Sequence, residues 1–444
     1  MKEQRILELI EQKNYIDLKK ELSEMNEVDV SEILNDLDSS VTLLVFRMLP
    51  KDMAVDVFSH FSPEQQAGII HAVSDKELKY ILDELFFDDM IDLIEEMPAN
   101  IVNKILAHST ADERKLINQF LKYPAHSAGS LMTIEYVELK KNMTVQEALD
   151  HIKEFGLSKE TIYTCYVTNK NRKLEGIVSL RKLVVSEGNK CIKEILHEDV
   201  IYVETHDDQE TVANIFKRYG FMALPVVDKE RRLTGIITFD DIMEVIEQEA
   251  TEDFQIMAAM APSEDAYLDS GVIELAKQRI PWLLILMIGA TVTGGIITKF
   301  ENVLSTIVVL TAFIPMLMDT AGNSGNQSST LIIRGLAVGD VELKDIWKIL
   351  WKEFRISILV GIVLGSVNFT KNMLFDKVGL FVSLTVSITV VATVILAKMI
   401  GGTLPLIAKR LKLDPAIMAG PLITTVVDAL ALMVYFAIAS ALLM

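Results

Sequence analysis

Apolar residues along this chain follow three successive patterns. Between residues 26 and 121 they return every 12 positions. Units opening at Asn26, Asp38, Pro50, Ser62, Ser74, Phe86, Pro98 and Thr110 can be stacked. Their eighth position is then always aliphatic: Ile33, Val45, Val57, Ile69, Ile81, Leu93, Ile105 and Ile117. The ninth is apolar in every unit but the last, where it is Asn118. Openings such as SPEQ (62–65) and SDKE (74–77) have the Ser-x-x-Glu/Gln form of a capping box. One such short helix does not stand alone in water, but stacked neighbours share a core. The period therefore predicts an α-helical, superhelical N-domain over 1–128.

From about Ser130 the pattern becomes short β-rich runs between amphipathic helices. TIYTCYVTNKNRKLEGIVSLRKLV (161–184) and MALPVVDKERRLTGIITFDDIM (222–243) share one layout. Each has a strand, a polar turn, a strand opened by Gly176 or Gly235, a Ser/Thr and a helix. This resembles a tandem of cystathionine-β-synthase-type (CBS) α/β domains, about 129–192 and 193–246. The second copy keeps Gly235, Thr238 and Asp241, and in the CBS family such an Asp commonly holds a nucleotide ribose. The first copy has Lys182 beside Arg181 instead, which weighs against ATP at that half. Arg181, Lys182 and Phe221 stand as candidate nucleotide contacts. A pair kept as a dimerisation hinge is the alternative.

The third pattern is long apolar runs. Five spans fit: 280–299, a second starting near 303, 356–374, 379–400 and 416–442, each near the roughly 20 residues that cross a bilayer. The second is expected to be broken. Pro315 removes a helix hydrogen bond, and GNSGNQSS (322–329) is polar at membrane depth, where irregular backbone survives only inside protein or beside water. A long connecting helix over 247–279 is predicted to lead into this all-α membrane domain. Around its start cluster Glu244, Glu247, Glu249, Glu252 and Asp253, with no basic residue among them. Such a load either faces water or holds a counterion.

Charge sharpens the division. Residues 1–279 carry a formal −22 and residues 280–444 a formal +3. An acidic body suits cations and disfavours nucleic acid. Two cysteines, Cys165 and Cys191, are too few for a disulfide framework and fit a reduced compartment. The charged N-terminal stretch lacks a signal-peptide core. Lys and Arg concentrate before the first span and in the connections from second to third and from fourth to fifth, where Lys398 is counted with Lys409, Arg410 and Lys412. The positive-inside rule then places the N-terminal domains in the cytoplasm and the C-terminus outside a cell membrane.

Asp428 lies alone in the apolar run PLITTVVDALALMVYF (421–436). A lone carboxylate there costs roughly 2.5–3.5 kcal/mol on insertion scales, so it marks function. The acidic repeat, CBS pair, EATEDFQ connector, GNSGNQSSTLIIRGLAVGD and PLITTVVDAL together resemble the MgtE family of magnesium channels and transporters over nearly the whole chain. That resemblance implies a homodimer in lipid with a Mg²⁺ pore on its two-fold axis, lined by the second and fifth helices. Carried onto this chain, the pore residues are Asp428, Thr424, Gly420 and Asn326. Asp319 is added as a carboxylate near the pore mouth or a cap on the helix break. An all-oxygen site without Cys or His disfavours zinc and copper, and suits an ion that keeps its water shell.

The resemblance also implies closure by intracellular Mg²⁺. Bridging ions would draw the acidic domains together and hold the connector against the pore, through Asp88, Asp89, Asp92, Glu210, Asp241, Glu244, Glu249, Glu252 and Asp253. The Asp88–Asp92 cluster is expected to face the second CBS module. A solvated helix face is the plainer account of those acids. Competing functions are a CBS-regulated carrier of another ion, such as Mn²⁺ or Co²⁺, and a magnesium sensor that transports nothing. No nucleophile–base pair, phosphate-cradling loop or metal–His motif suggests an enzyme.

Overall fold

The computed structural model describes every residue except Met1, Asp36, Glu264–Ala266, Asp269 and Met444. Two compact units divide at Ile246/Glu247.

The first unit opens with ten helices, from α1 (Lys2–Glu11) and α2 (Tyr15–Leu22) to α10 (Ala111–Phe120). All eight aliphatic eighth positions of the 12-residue repeat are buried. Capping boxes form at Ser74/Glu77 and Thr110/Glu113. At SPEQ the expectation fails. Ser62 makes no side-chain cap bond, and Pro63 starts the helix with its φ already set. Gln65 instead donates to the Asn35 and Leu37 carbonyls, tying the repeat to an earlier one.

Two three-stranded sheets follow. The first is β1 (Tyr136–Leu139), β2 (Thr161–Thr168) and β3 (Leu174–Ser179), with α11 (Val145–Phe155), α12 (Leu180–Val185) and α13 (Ile192–Ile195). The second is β4 (Val203–Glu204), β5 (Ala223–Val227) and β6 (Leu233–Thr238), with α14 (Gln209–Tyr219). In each the first pair is parallel and the second antiparallel, matched as Cys165–Val178 and Val226–Gly235. The repeated glycines have a steric cause. A Cβ on Gly235 would lie 2.5 Å from the Thr133 carbonyl, and one on Gly176 would lie 2.6 Å from that of His197. At both places a neighbouring segment bridges onto the strand, as Thr133–Ile236 and Ile177–His197. Helix α15 (Phe239–Met257) leaves β6 directly.

The second unit is helical: α16 (Val272–Lys299), α17 (Glu301–Thr306), α18 (Ile314–Ala337), α19 (Ile346–Leu374), α20 (Leu380–Arg410) and α21 (Gly420–Leu443). Among the described residues, α16, α20 and α21 are long and apolar enough to cross a membrane. Helix α20 packs against α18, α19 and α21, while α16 leans on α21. Gly401 meets the Gly325 carbonyl so closely that α20 could carry no side chain there.

Three expectations change here. The connector is helical only to Met257, and α16 starts at Val272, so 247–279 is not one helix. The break in the second span lies at the 3₁₀ turn Val308–Phe313. Pro315 occupies the first turn of α18, where no hydrogen bond is lost, and GNSGNQSS is helical throughout. Lys398 is not a loop charge; it lies inside α20, 4% exposed.

Candidate metal sites

In the second unit α18 places Asp319, Asn323 and Gln327 at i, i+4 and i+8, all exposed, so one face of this long helix is polar. Asn323 donates to Asp319 at 3.1 Å. Asp319 sits inside the helix and does not cap its start. Gly322 and Gly325 turn the other way. A Cβ on Gly322 would lie 2.7 Å from Thr424 Cγ2 and 3.6 Å from Asp428 Oδ1, so α18 can approach α21 at the level of the lone carboxylate only because that position is glycine. Asp428 is half-buried, and its Oδ1 is sealed from solvent without a hydrogen-bond partner. Asp319 is near enough to interact with it electrostatically.

Asn326, Gly420 and Thr424 form a chain. The Gly420 N–H donates to Asn326 Oδ1 at 2.9 Å, and the Thr424 hydroxyl donates to the Gly420 carbonyl at 2.9 Å. These bonds fix the first turn of α21 on α18. Gly420 has φ +49°, and a Cβ there would collide with the Met257 carbonyl at the end of α15. Ile256 and Met257 pack beside Ile333, Ala416 and Ala419, so α15 ends against the base of both α18 and α21.

In the first unit, acids from three elements crowd together. Asp88, Asp89 and Asp92 come from α8 (Phe87–Glu96), Asp240 and Asp241 from the start of α15, and Glu160 from the turn before β2. Burial, then the charges of Asp241, Asp89 and Glu160, pushes the Asp88 carboxyl up to about 9. Its Oδ1 is buried and unpartnered. Asp89 rises to about 6 through burial and then Asp241, Asp240 and Asp56. Glu160 rises to about 7 through burial and then Asp240, Asp241 and Asp89. Asp241 is raised by burial, even though Thr238 donates to it at 2.5 Å. Asp92, exposed on α8, rises to about 7 through the surrounding protein and then Asp241 and Asp89. None of the causes raising these groups is outweighed by a nearby Lys or Arg. Among the described residues no three acidic, His or Cys side chains converge closely enough to ligate one ion directly.

The remaining candidates are dispersed. Glu210 is exposed in the first turn of α14, and Glu244 is exposed on α15. Further along α15, Glu249 and Asp253 are half-buried and Glu252 is exposed. Arg181 and Lys182 are exposed at the start of α12, whereas Phe221 stacks on Tyr219 with centroids 5.3 Å apart. Sequence reasoning passed over Asp240 and Glu160. Their signal was position: each borders a strand of the CBS pair on the side where α8 arrives.

A helical solenoid, a CBS pair and a helical bundle holding a carboxylate with one sealed, unpartnered oxygen point to the divalent-cation transporter class. Family models agree: a divalent cation transporter matches residues 314–438, an MgtE intracellular N domain matches 25–126, and CBS domains match 128–186 and 192–248. The magnesium transporter MgtE of Thermus thermophilus is 36% identical over 436 residues, 96% of this chain and 95% of that protein. The Bacillus subtilis protein of the same name is 32% identical, covering 98% and 96%. Among solved structures, the soluble part of a magnesium transporter matches 56% of this chain and 98% of its own, with 29% identity and TM-score 0.52. The cytosolic domain of the Mg²⁺ channel MgtE in complex with ATP matches 54% and 98%, with 34% identity and TM-score 0.51. The chain belongs to the MgtE family.

Proposed function

We propose that this chain, a magnesium transporter by family, works as a homodimer in the cell membrane and conducts Mg²⁺ along a path lined by α18 and α21. The observation that carries the proposal is Asp428, a carboxylate with a sealed, unpartnered oxygen in one of the most apolar helices of the chain. Two such groups facing each other across a two-fold axis are costly in lipid unless a cation lies between them. The polar row Asp319–Asn323–Gln327, exposed on a single chain, supplies amide and carboxylate oxygens along the same path. Mg²⁺ sheds water reluctantly, so carboxylates accepting hydrogen bonds from its hydration shell select it without stripping it. Five spans, α16 and α18 to α21, carry the N-terminus on the cytoplasmic side and the C-terminus outside, by the distribution of Lys and Arg.

Regulation follows from the acidic cluster. Metal-free, Asp88, Asp89, Asp92, Glu160 and Asp241 repel one another, and the groups pushed up to about 7 or beyond, Asp88, Asp92 and Glu160, hold protons at neutral pH. Cytosolic Mg²⁺ replaces those protons and draws α8 to the start of α15. The same helix ends at Met257 beside Gly420, so a cation bound at one end of α15 can bias the base of the ion path at the other. Glu210, Glu244, Glu249, Glu252 and Asp253 add weaker closed-state sites. ATP at Arg181, Lys182 and Phe221 is a second ligand of the CBS pair, favoured by the ATP complex of the related cytosolic domain.

Mg²⁺ uptake into liposomes holding the purified chain tests the path. Asp428→Asn keeps the shape and removes the charge; uptake is expected to fall at least about tenfold, on the order of the loss of a buried charge interaction. Wild-type uptake and selectivity in that variant would overturn the proposal.

A further inference from the structure

Helix α18 carries a second polar group that the ion path does not account for. Glu353 of α19 and Lys398 of α20 are 6% and 4% exposed, and they reach α18 at Gln327 and Ser328, where its polar row ends. The Ser328 hydroxyl, 1% exposed, donates to Glu353 Oε2 at 2.6 Å. Lys398 Nζ donates to that same hydroxyl oxygen and to Gln327 Oε1, each at 3.5 Å. Gly402 of α20 makes room: a Cβ there would stand 3.2 Å from Glu353 Cγ. One serine hydroxyl thus accepts a hydrogen bond from the Lys398 ammonium and donates one to the Glu353 carboxylate.

The four successive residues 326–329 are each tied to a different partner. Asn326 accepts from the Gly420 N–H, Gln327 accepts from Lys398, Ser328 donates to Glu353, and Ser329 donates to the Met418 carbonyl. Gln327 is exposed on the face that also carries Asp319 and Asn323. The buried cation is therefore one amide group away from the path. A lone buried Lys⁺ there would repel an approaching dication, and a lone buried Glu⁻ would hold it.

We propose that Glu353 and Lys398, coupled through Ser328, are a charge-balanced pair of positioning residues that sets how strongly the path binds Mg²⁺. Neither touches the ion. Lys398 orients Gln327, Glu353 cancels the Lys398 charge, and Ser328 keeps the two in register. This rests on the α18–α21 path proposed above.

Charge substitutions separate this role from packing, because packing damage has no sign. Mg²⁺ uptake by the full chain in liposomes is measured against Mg²⁺ concentration. Glu353→Gln leaves Lys398 uncompensated and is expected to raise the half-saturating concentration roughly fivefold; Lys398→Met leaves Glu353 and is expected to lower it by a similar factor. The double variant should return it to within about twofold of wild type, at a reduced maximal rate. Ser328→Ala, which changes no charge, is expected to lower the maximal rate at an unchanged half-saturating concentration, and it keeps the test open if a charge variant does not fold. Shifts of the two single variants in the same direction, a double variant worse than both, or wild-type uptake in Ser328→Ala would each overturn the inference. Asp428→Asn run alongside distinguishes the failures. If it is impaired while the charge pair shows no opposed shift, the path stands and the pair falls.

Discussion

Asp88 shows how a single residue can concentrate an electrostatic cost. Its carboxyl is pushed up to about 9 by burial and by neighbouring acids, against 3.8 for the free group. The folded form therefore binds protons that the unfolded chain releases, so metal-free stability is fully present below the unfolded value and is lost as pH rises through the folded ones. With Asp89 at about 6, Asp92 and Glu160 at about 7 and Asp88 at about 9, the loss begins above the unfolded values of 3.8 for Asp and 4.5 for Glu and is complete at about pH 9. The thermal midpoint of the full chain in detergent without Mg²⁺ is expected to fall across this window. Added Mg²⁺ should restore more of it at pH 9 than at pH 6, because protons compete for the same oxygens. Asp88→Asn removes both the repulsion and the ligand. It should stabilise the metal-free protein by about 1–2 kcal/mol and shrink the Mg²⁺-induced rise in midpoint; an unchanged Mg²⁺ response would count against a cation among these acids. The sequence advertised Asp88, Asp89 and Asp92 as a run, but not Glu160 or Asp240, which join them only through the packing of three elements. Lys398 was harder still to read. Counted along the chain it belongs to a basic cluster before the last span, and only its burial in α20 shows that it faces Ser328.

Among the elements, those with short-range causes were legible and those decided by neighbours were not. The 12-residue period needs only adjacent helices to share a core, and its eighth positions are all buried. GNSGNQSS looked like a helix break because it is small and polar at membrane depth. It stays helical because Gly325 lets α20 approach, and because Ser328 and Ser329 spend their hydroxyls on Glu353 and the Met418 carbonyl. Pro315 misled in the opposite way, since its cost vanishes in a first turn. The junction of α15 with α21 is the element most open to test. Gly420 has φ +49° and no room for a Cβ beside the Met257 carbonyl. Gly420→Ala adds roughly 1–2 kcal/mol of backbone strain as well as that collision. Residual Mg²⁺ current at high cytosolic Mg²⁺ should rise in patch-clamp recordings, because the end of α15 no longer seats. Block as complete as in wild type would show that this contact does not bear on closure.

For the whole molecule the question is how many weak sites closure requires. Moving a two-state channel from about 1:99 to 99:1 takes roughly 5.5 kcal/mol of differential binding. A site at about three times its Kd contributes only about 0.8 kcal/mol, so roughly seven are needed in a dimer, three or four per chain. On the gating proposed above, the acidic group around Asp88 and Asp241 would supply some of these, and Glu249, Glu252 and Asp253 on α15 would extend the series. A response divided among so many ligands is graded in its failures. Asp253→Ala should shift the Mg²⁺ concentration for half-block upward by roughly threefold to fivefold while leaving full block attainable. Asp253→Ala combined with Asp88→Asn should shift it by about the product of the single effects, since the two residues lie far apart in the chain and in different units. Patch-clamp titration of cytosolic Mg²⁺ measures both. A single substitution that abolishes block outright would mean that one site, and not their sum, closes the path.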